Sequence, residues 1–287
     1  MLPPLSPPTQ PQRAPAAGFS RIDLLASAST ALLIGILSLS AATHSSIRSK
    51  TAVCLNNHKQ MARAWFGYAA DRNGRLVGNL DGGAVQSLQS SNLTWALGWL
   101  DFITGSPANA NTNTLLLSHY SPLAPYLNRS AAPFLCPADL SLQSPEPRRR
   151  HVRSLAMNSY IGDRSGPYTG GYKQIRELSQ FTELTPAQAF VFIDEREDSI
   201  NDAWFPIDMS GHTEQDPKAY RMVDYPSDAH DGAATLSFAD GHVESWVWRD
   251  ARTRPPHQLN SVLALGIATP DNPDIARIHS ATARRLR

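Results

Sequence analysis

Residues 18–50 read GFSRIDLLASASTALLIGILSLSAATHSSIRSK, and the fold turns on what this stretch becomes. From Leu24 to Ala42 there are 19 residues without a charge. As a helix rising ~1.5 Å per residue, the run is about 28 Å long, close to a ~30 Å hydrocarbon slab. Arg48 and Lys50 follow it. Three readings compete: a retained membrane helix, a secretory signal cut near Ser40-Ala41-Ala42, and a buried helix of a soluble protein. The signal reading lacks its basic start. Ser27, Ser29, Thr30, Ser38 and Ser40 dilute the run. The expectation is a retained membrane helix over about 24–42.

The flanks extend this reading. Residues 1–18 hold six prolines and one charge, Arg13, so they cannot form a helix. Asp23 borders the apolar run, where a carboxylate needs a partner. A cut after Gly18 would supply one, because the new amine of Phe19 lies four residues away. Beyond the run, Cys54, Met61, Trp65 and Tyr68 recur at helical spacing and predict one apolar face. Asn73-Gly74 predicts the stop. One long helix over 19–72 is expected, followed by a head over 73–287.

Composition narrows the classes. The chain has 287 residues and a net charge of +1, so nothing global draws it to nucleic acid. Two cysteines exclude a cysteine-only zinc finger and a multi-disulfide scaffold. Within the head, 187–194 (AQAFVFID) reads as a strand and 154–160 as another. Residues 232–248 (GAATLSFADGHVESWVW) read as an antiparallel hairpin turning at Asp240-Gly241. Ile275 to Arg285 predicts a short amphipathic helix, and Arg148-Arg149-Arg150 a solvated basic loop.

Gly18-Phe19, with Asp23 five positions into the mature chain, resembles the processing site of type IV pilins and type II secretion pseudopilins. Cys54-Leu-Asn-Asn-His-Lys-Gln, Asp71-Arg-Asn73-Gly74, Cys136-Pro-Ala-Asp139 and Met157-Asn158-Ser-Tyr160 are similar to ordered blocks of the planctomycete and verrucomicrobial members. So are Phe192-Ile-Asp194-Glu195 and His230, nine residues, then Asp240-Gly241.

The resemblance implies an α+β fold in which a long N-terminal transmembrane and assembly helix packs on an antiparallel-sheet head. It implies a structural subunit of a secretion pseudopilus or type IV-like filament, processed after Gly18 and methylated on Phe19. Its partners would be further copies or other pseudopilins, a prepilin peptidase, the inner-membrane assembly platform and membrane lipid, with no nucleic acid. The head would lie outside the inner membrane. On that oxidising side, Cys54 and Cys136 are expected to form a disulfide.

No catalytic residue is expected. Asp194, Glu195 and Asp224 form an oxygen-rich set that suits calcium, weighed against a solvated acidic turn. His242 and Glu244 share a strand face but are not a three-ligand zinc set. His230, Asp240 and Gly241 read as architecture: a tight turn and a histidine that anchors its loop. The alternative function is an envelope-anchored binding module, for carbohydrate or another extracellular ligand. Trp95, Trp99, Trp204, Trp246 and Trp248 would be its stacking platforms.

Overall fold

The computed structural model describes residues 21–101, 110–144, 150–213, 215–258 and 261–286, with backbone alone for 22–24 and 34–46. Gly18, Phe19 and the side chain of Asp23 lie outside the described residues, as do Arg148 and Arg149. The chain divides into two units, Met1–Ser46 and Ile47–Arg287.

Helix α1 runs from Arg21 to Ala70. One long helix is expected over 19–72; the character of α1 is not the expected one. Among the described residues, no helix is long and apolar enough to cross a membrane. The transmembrane span expected over 24–42, and the inner-membrane anchoring drawn from it, are therefore not upheld among the described residues. Hydroxyl side chains interrupt the described part of that run. Ser29 and Thr30 donate back to the carbonyls of Leu25 and Ala26, as short polar side chains do within helices.

From Ile47 onward α1 belongs to the second unit. Cys54, His58, Met61, Trp65 and Ala69 form a buried stripe at spacings of four, three, four and four, while Lys59 and Arg63 face solvent. The helix stops where expected. Asn73 and Gly74 take φ of 53° and 85°, and the Gly74 N–H donates to the Ala69 carbonyl at 2.8 Å, closing a Schellman-type end.

The remaining elements are β1 (Leu155–Asn158), β2 (Phe190–Asp194), β3 (Trp204–Phe205), β4 (Arg221–Met222), β5 (Ala233–Phe238), β6 (Val243–Val247) and β7 (Ile267–Ala268). One-turn α2 (Leu115–Ser118) and α3 (Pro273–Ser280) complete them. Five strands form one sheet in the order β3-β1-β2-β5-β6, and β4 pairs with β7 separately. The sheet is mixed, because β1 and β3 run parallel and the other pairs antiparallel. The fold is thus α+β, but not the expected antiparallel sheet beneath a membrane helix. The short β3 enters alongside β1 after a crossover that strand patterning did not reveal.

Two cores cover the two sheet faces. On one, Met61, Trp65 and Tyr68 of α1 pack with Leu155, Met157, Val191 and Phe192. On the other, Ala156, Phe190, Ile193, Leu236 and Trp246 pack with Ile275 and Ile278 of α3. Register slips between Phe190 and Phe192, so Val191 and Phe192 both join the α1 side. Ile193 then turns away, and the alternation returns Asp194 to the α1 side. That bulge sets where the last residue of β2 points.

The hairpin forms with a different turn from the one expected. Gly241 has φ of 90° but Asp240 is not left-handed. The Gly241 N–H donates to the Phe238 carbonyl at 2.9 Å, and Phe238 N–H to the His242 carbonyl at 2.9 Å. This is the three-residue loop in which glycine alone takes the left-handed position. Asp240 instead accepts from the His242 backbone N–H at 3.0 Å.

Candidate metal centre

Four donors converge where α1, the loop after residue 134, the end of β2 and the approach to β5 meet. They are Cys54, Cys136, Asp194 and His230, all buried, with one ligand atom from each lying within 4.8 Å of all the others. Each is brought there by a separate local device. Cys54 sits on the buried stripe of α1. Asp194 is delivered by the β2 bulge. Cys136 follows a 3₁₀ turn at Ala132–Phe134, and its N–H donates to Ser154 Oγ at 2.8 Å. Ser154 Oγ in turn donates to Asp194 Oδ1 at 3.2 Å, so one hydroxyl sets two of the four groups.

The tautomer of His230 follows from its neighbour. Thr51 Oγ1 donates its one proton to the Ile47 carbonyl at 2.9 Å. It can therefore only accept from His230 Nδ1, 3.0 Å away. Nδ1 carries the hydrogen, and the Nε2 lone pair faces Cys136 Sγ at 3.1 Å. A donor histidine whose far nitrogen is held by an outer partner is the usual arrangement at metal sites. Cys136 Sγ also accepts the Ala138 N–H at 3.4 Å, which favours a thiolate there.

Electrostatics separates the two thiols. Burial is the chief cause of pushing the Cys54 thiol well up, and Cys54 Sγ donates to Asp194 Oδ2 at 2.6 Å. The Cys54 contact draws Cys136 down to about 7, with burial opposing and His230 assisting. Burial alone would raise Asp194, but His58, Cys54 and His230 more than offset it and hold the carboxyl below its usual value.

The two cysteines are free thiols. The expected disulfide is corrected: one sulfur is engaged by a carboxylate and the other by an imidazole. The expectation of no reactive chemistry is corrected too, since two thiols, an imidazole and a carboxylate in contact form a potential metal-binding or catalytic set. The calcium expectation fails on donor chemistry. Asp194 stands among sulfur and nitrogen, which select zinc-class ions over a hard cation.

Glu195 and Asp224, expected beside Asp194, belong to a different cluster. Burial chiefly, and then the charge of Asp224 on Glu195 and of Asp202 on Asp224, push both carboxyls well up. Ser199 Oγ donates to Glu195 at 2.7 Å. A third group, Glu197, Asp198 and His257, also has ligand atoms in mutual reach. Its donors are committed to ion pairs, however. His257 bridges Glu197 at 2.6 Å and Asp228 at 3.0 Å, which raises it to about 10. Asp198 holds the Arg196 guanidinium at 2.8 and 2.7 Å.

His230, expected to anchor its own loop, makes its ring contacts elsewhere. It reaches across to α1 and Cys136. Asp240 pairs with His242 on the hairpin, at 2.5 Å and away from the four donors. The tryptophan platforms are also corrected. Trp95, Trp204, Trp246 and Trp248 are buried and Trp99 is half-buried, and Trp95 stacks on Phe134 within the core.

No protein-family model, curated protein or solved structure matches the chain. The pilin and pseudopilin resemblance drawn from ordered short blocks is therefore not upheld, nor is the filament-subunit role that rested on it. Several of those blocks have another use here. Cys54, Cys136, Asp194 and His230 each sit in one, and together they are the donor set.

Proposed function

We propose that this protein is a metal-binding module whose centre takes a zinc-class ion through Cys54, Cys136, His230 and Asp194. The carrying observation is the convergence of these four buried donors within 4.8 Å, supplied by four separate chain segments. Two thiolates, an imidazole and a carboxylate satisfy the coordination preferences of zinc. The ion would tie α1 to the sheet. Two cysteines and one histidine are also a ligand set that zinc enzymes use, with a further position for a displaceable group. Asp194 occupies that position in this set. Of the earlier functional expectations, a binding module fits better than a filament subunit, with a metal ion as the ligand its side chains favour.

The test is metal content. Protein purified without added chelator should carry one zinc-class ion per chain, and C54S or C136S should lose it. Metal-free wild-type protein that cannot be reloaded would refute the reading.

One contact favours a second reading. Cys136 Sγ and His230 Nε2 stand 3.1 Å apart, with Thr51 orienting the ring, which is how an activated thiol is built. A chain that binds no metal, yet is alkylated by iodoacetamide at Cys136 far faster than at Cys54, would favour a thiol nucleophile.

A further inference from the structure

His58 lies beside the centre and is not among the four donors that define it. It is fully buried, one helical turn after Cys54 on the same stripe of α1. Neither of its ring nitrogens has a hydrogen-bond partner. Sealed from water, the ring is engaged only by an ion-pair contact on one nitrogen, and a buried polar group without a hydrogen bond is costly. Its Nε2 lies 3.3 Å from Asp194 Oδ2, outside hydrogen-bond geometry.

That separation has a specific meaning near a metal. Zinc holds nitrogen and oxygen at about 2.0–2.1 Å. Two such donors at the tetrahedral angle then sit about 3.3 Å apart, at ~1.6 times the bond length. Cys54 and His58, at positions i and i+4, also present their donors on one helix face, the spacing by which two side chains of one helix can hold a single ion.

Building on the proposed metal reading, we infer that His58 Nε2 is a fifth donor, making the centre a Cys54, Cys136, His230, His58 and Asp194 set. Four strong sulfur and nitrogen donors then surround the ion. Asp194 is the ligand that can leave without collapsing the site, and zinc accepts either four or five ligands. Zinc-class ions are selected over calcium and magnesium, which want oxygen.

The experiment uses the full chain with zinc and with cobalt(II) as a spectroscopic probe. His58→Ala and the bulkier His58→Gln are compared with wild type. Zinc affinity is measured by chelator competition, the cobalt ligand-field spectrum is recorded, and metal-free circular dichroism checks folding. Loss of a ligand should weaken zinc by more than the ~10–100-fold that an outer partner costs. It should also shift the cobalt bands, and millimolar imidazole should partly restore the spectrum of His58→Ala. An unchanged spectrum with affinity within about tenfold of wild type would overturn the inference while leaving the four-donor centre standing. Wild-type protein that binds neither ion would remove both. If the variants do not fold, zinc X-ray absorption on the unaltered protein counts the imidazoles: two support the inference and one overturns it.

Discussion

Replacing Cys136 with serine isolates what a bound metal contributes to the stability of the second unit. Cys136 is 1% exposed, accepts the Ala138 N–H and contacts His230, and a serine oxygen can keep both contacts. In the metal-free protein the substitution should therefore cost only about 1 kcal/mol, the size of one altered buried hydrogen bond. With zinc at a hundred times its dissociation constant, wild type gains about 2.7 kcal/mol by linkage. Domains of 150–250 residues shift by roughly 2–4 °C per kcal/mol, and residues 47–287 form a unit of that size. Zinc should then raise the wild-type melting temperature by about 5–11 °C relative to chelator. In Cys136→Ser the same addition should raise it by less than about 2 °C. Differential scanning fluorimetry in a four-way comparison of protein and metal reads this directly. Equal zinc responses in the two proteins would refute the argument, because the stabilisation would then come from elsewhere on the surface.

Burial lowers His279 to about 4 and His151 to about 3, both below the ordinary histidine value of 6.5. The unfolded chain therefore takes up protons first. Stability should be full above about pH 6.5 and should fall as the pH drops towards 4, by an order of 3 kcal/mol for His279 alone. Urea midpoints across that range should show the loss, and His279→Gln should flatten it. Trp65 is 1% exposed and meets Phe181 edge-on at 6.3 Å, so Trp65→Ala should cost about 3–5 kcal/mol in chemical denaturation. Trp65→Phe should cost less, because the indole nitrogen it removes has no hydrogen-bond partner. At Gly78 an added methyl would lie 2.0 Å from the Leu93 carbonyl oxygen, so Gly78→Ala should lower stability by about 1–3 kcal/mol or more. A melting temperature equal to wild type would show that the backbone there yields.

The elements that sequence revealed are those whose pattern is local. The stripe of α1, the strand at β2, the hairpin and the helix near residue 275 all follow from period and turn chemistry. The Asn73-Gly74 stop does too. The parallel pairing of β1 with the two-residue β3 did not, because nothing local marks so short a strand. The centre was missed for the same reason. Cys54 and Cys136 were read as a pair for each other, and Asp194 as part of a solvated acidic run. In the structure every residue from Asp194 to Asp198 is buried. The run is divided among separate partners: Asp194 to the thiols and imidazoles, Glu195 to Ser199, Glu197 to His257 and Asp198 to Arg196. One signal was available. His58 follows Cys54 by four and precedes Met61 by three, so it lies on the buried stripe that the same reading had already drawn.

The contrast among these acids bears on why a cation is the better account of the centre than an ion-pair network. Asp198 receives a guanidinium through two short hydrogen bonds, and Glu197 receives a histidine that Asp228 shares. Those are closed arrangements in which each negative charge meets a positive one. Asp194, fully buried, meets two thiols and, at 3.3 Å, the His58 imidazole, but no guanidinium. Each thiol can lose a proton, and a thiolate beside a carboxylate at low dielectric is repulsive. Cys136 is nevertheless drawn towards its thiolate, while Cys54 keeps its proton and donates it to Asp194. Three potential anions concentrated against one face of a helix are opposed there only by the imidazoles of His58 and His230. With a divalent ion among them the same geometry becomes favourable, and the thiol protons are what binding would displace. This leads to a last expectation. Loading zinc onto metal-free protein in weak buffer near neutral pH should release at least one proton per ion, measurable with a pH indicator. Cys54→Ser should release fewer, since its hydroxyl does not ionise there. Binding without proton release would show that the ion sits on some other group of side chains.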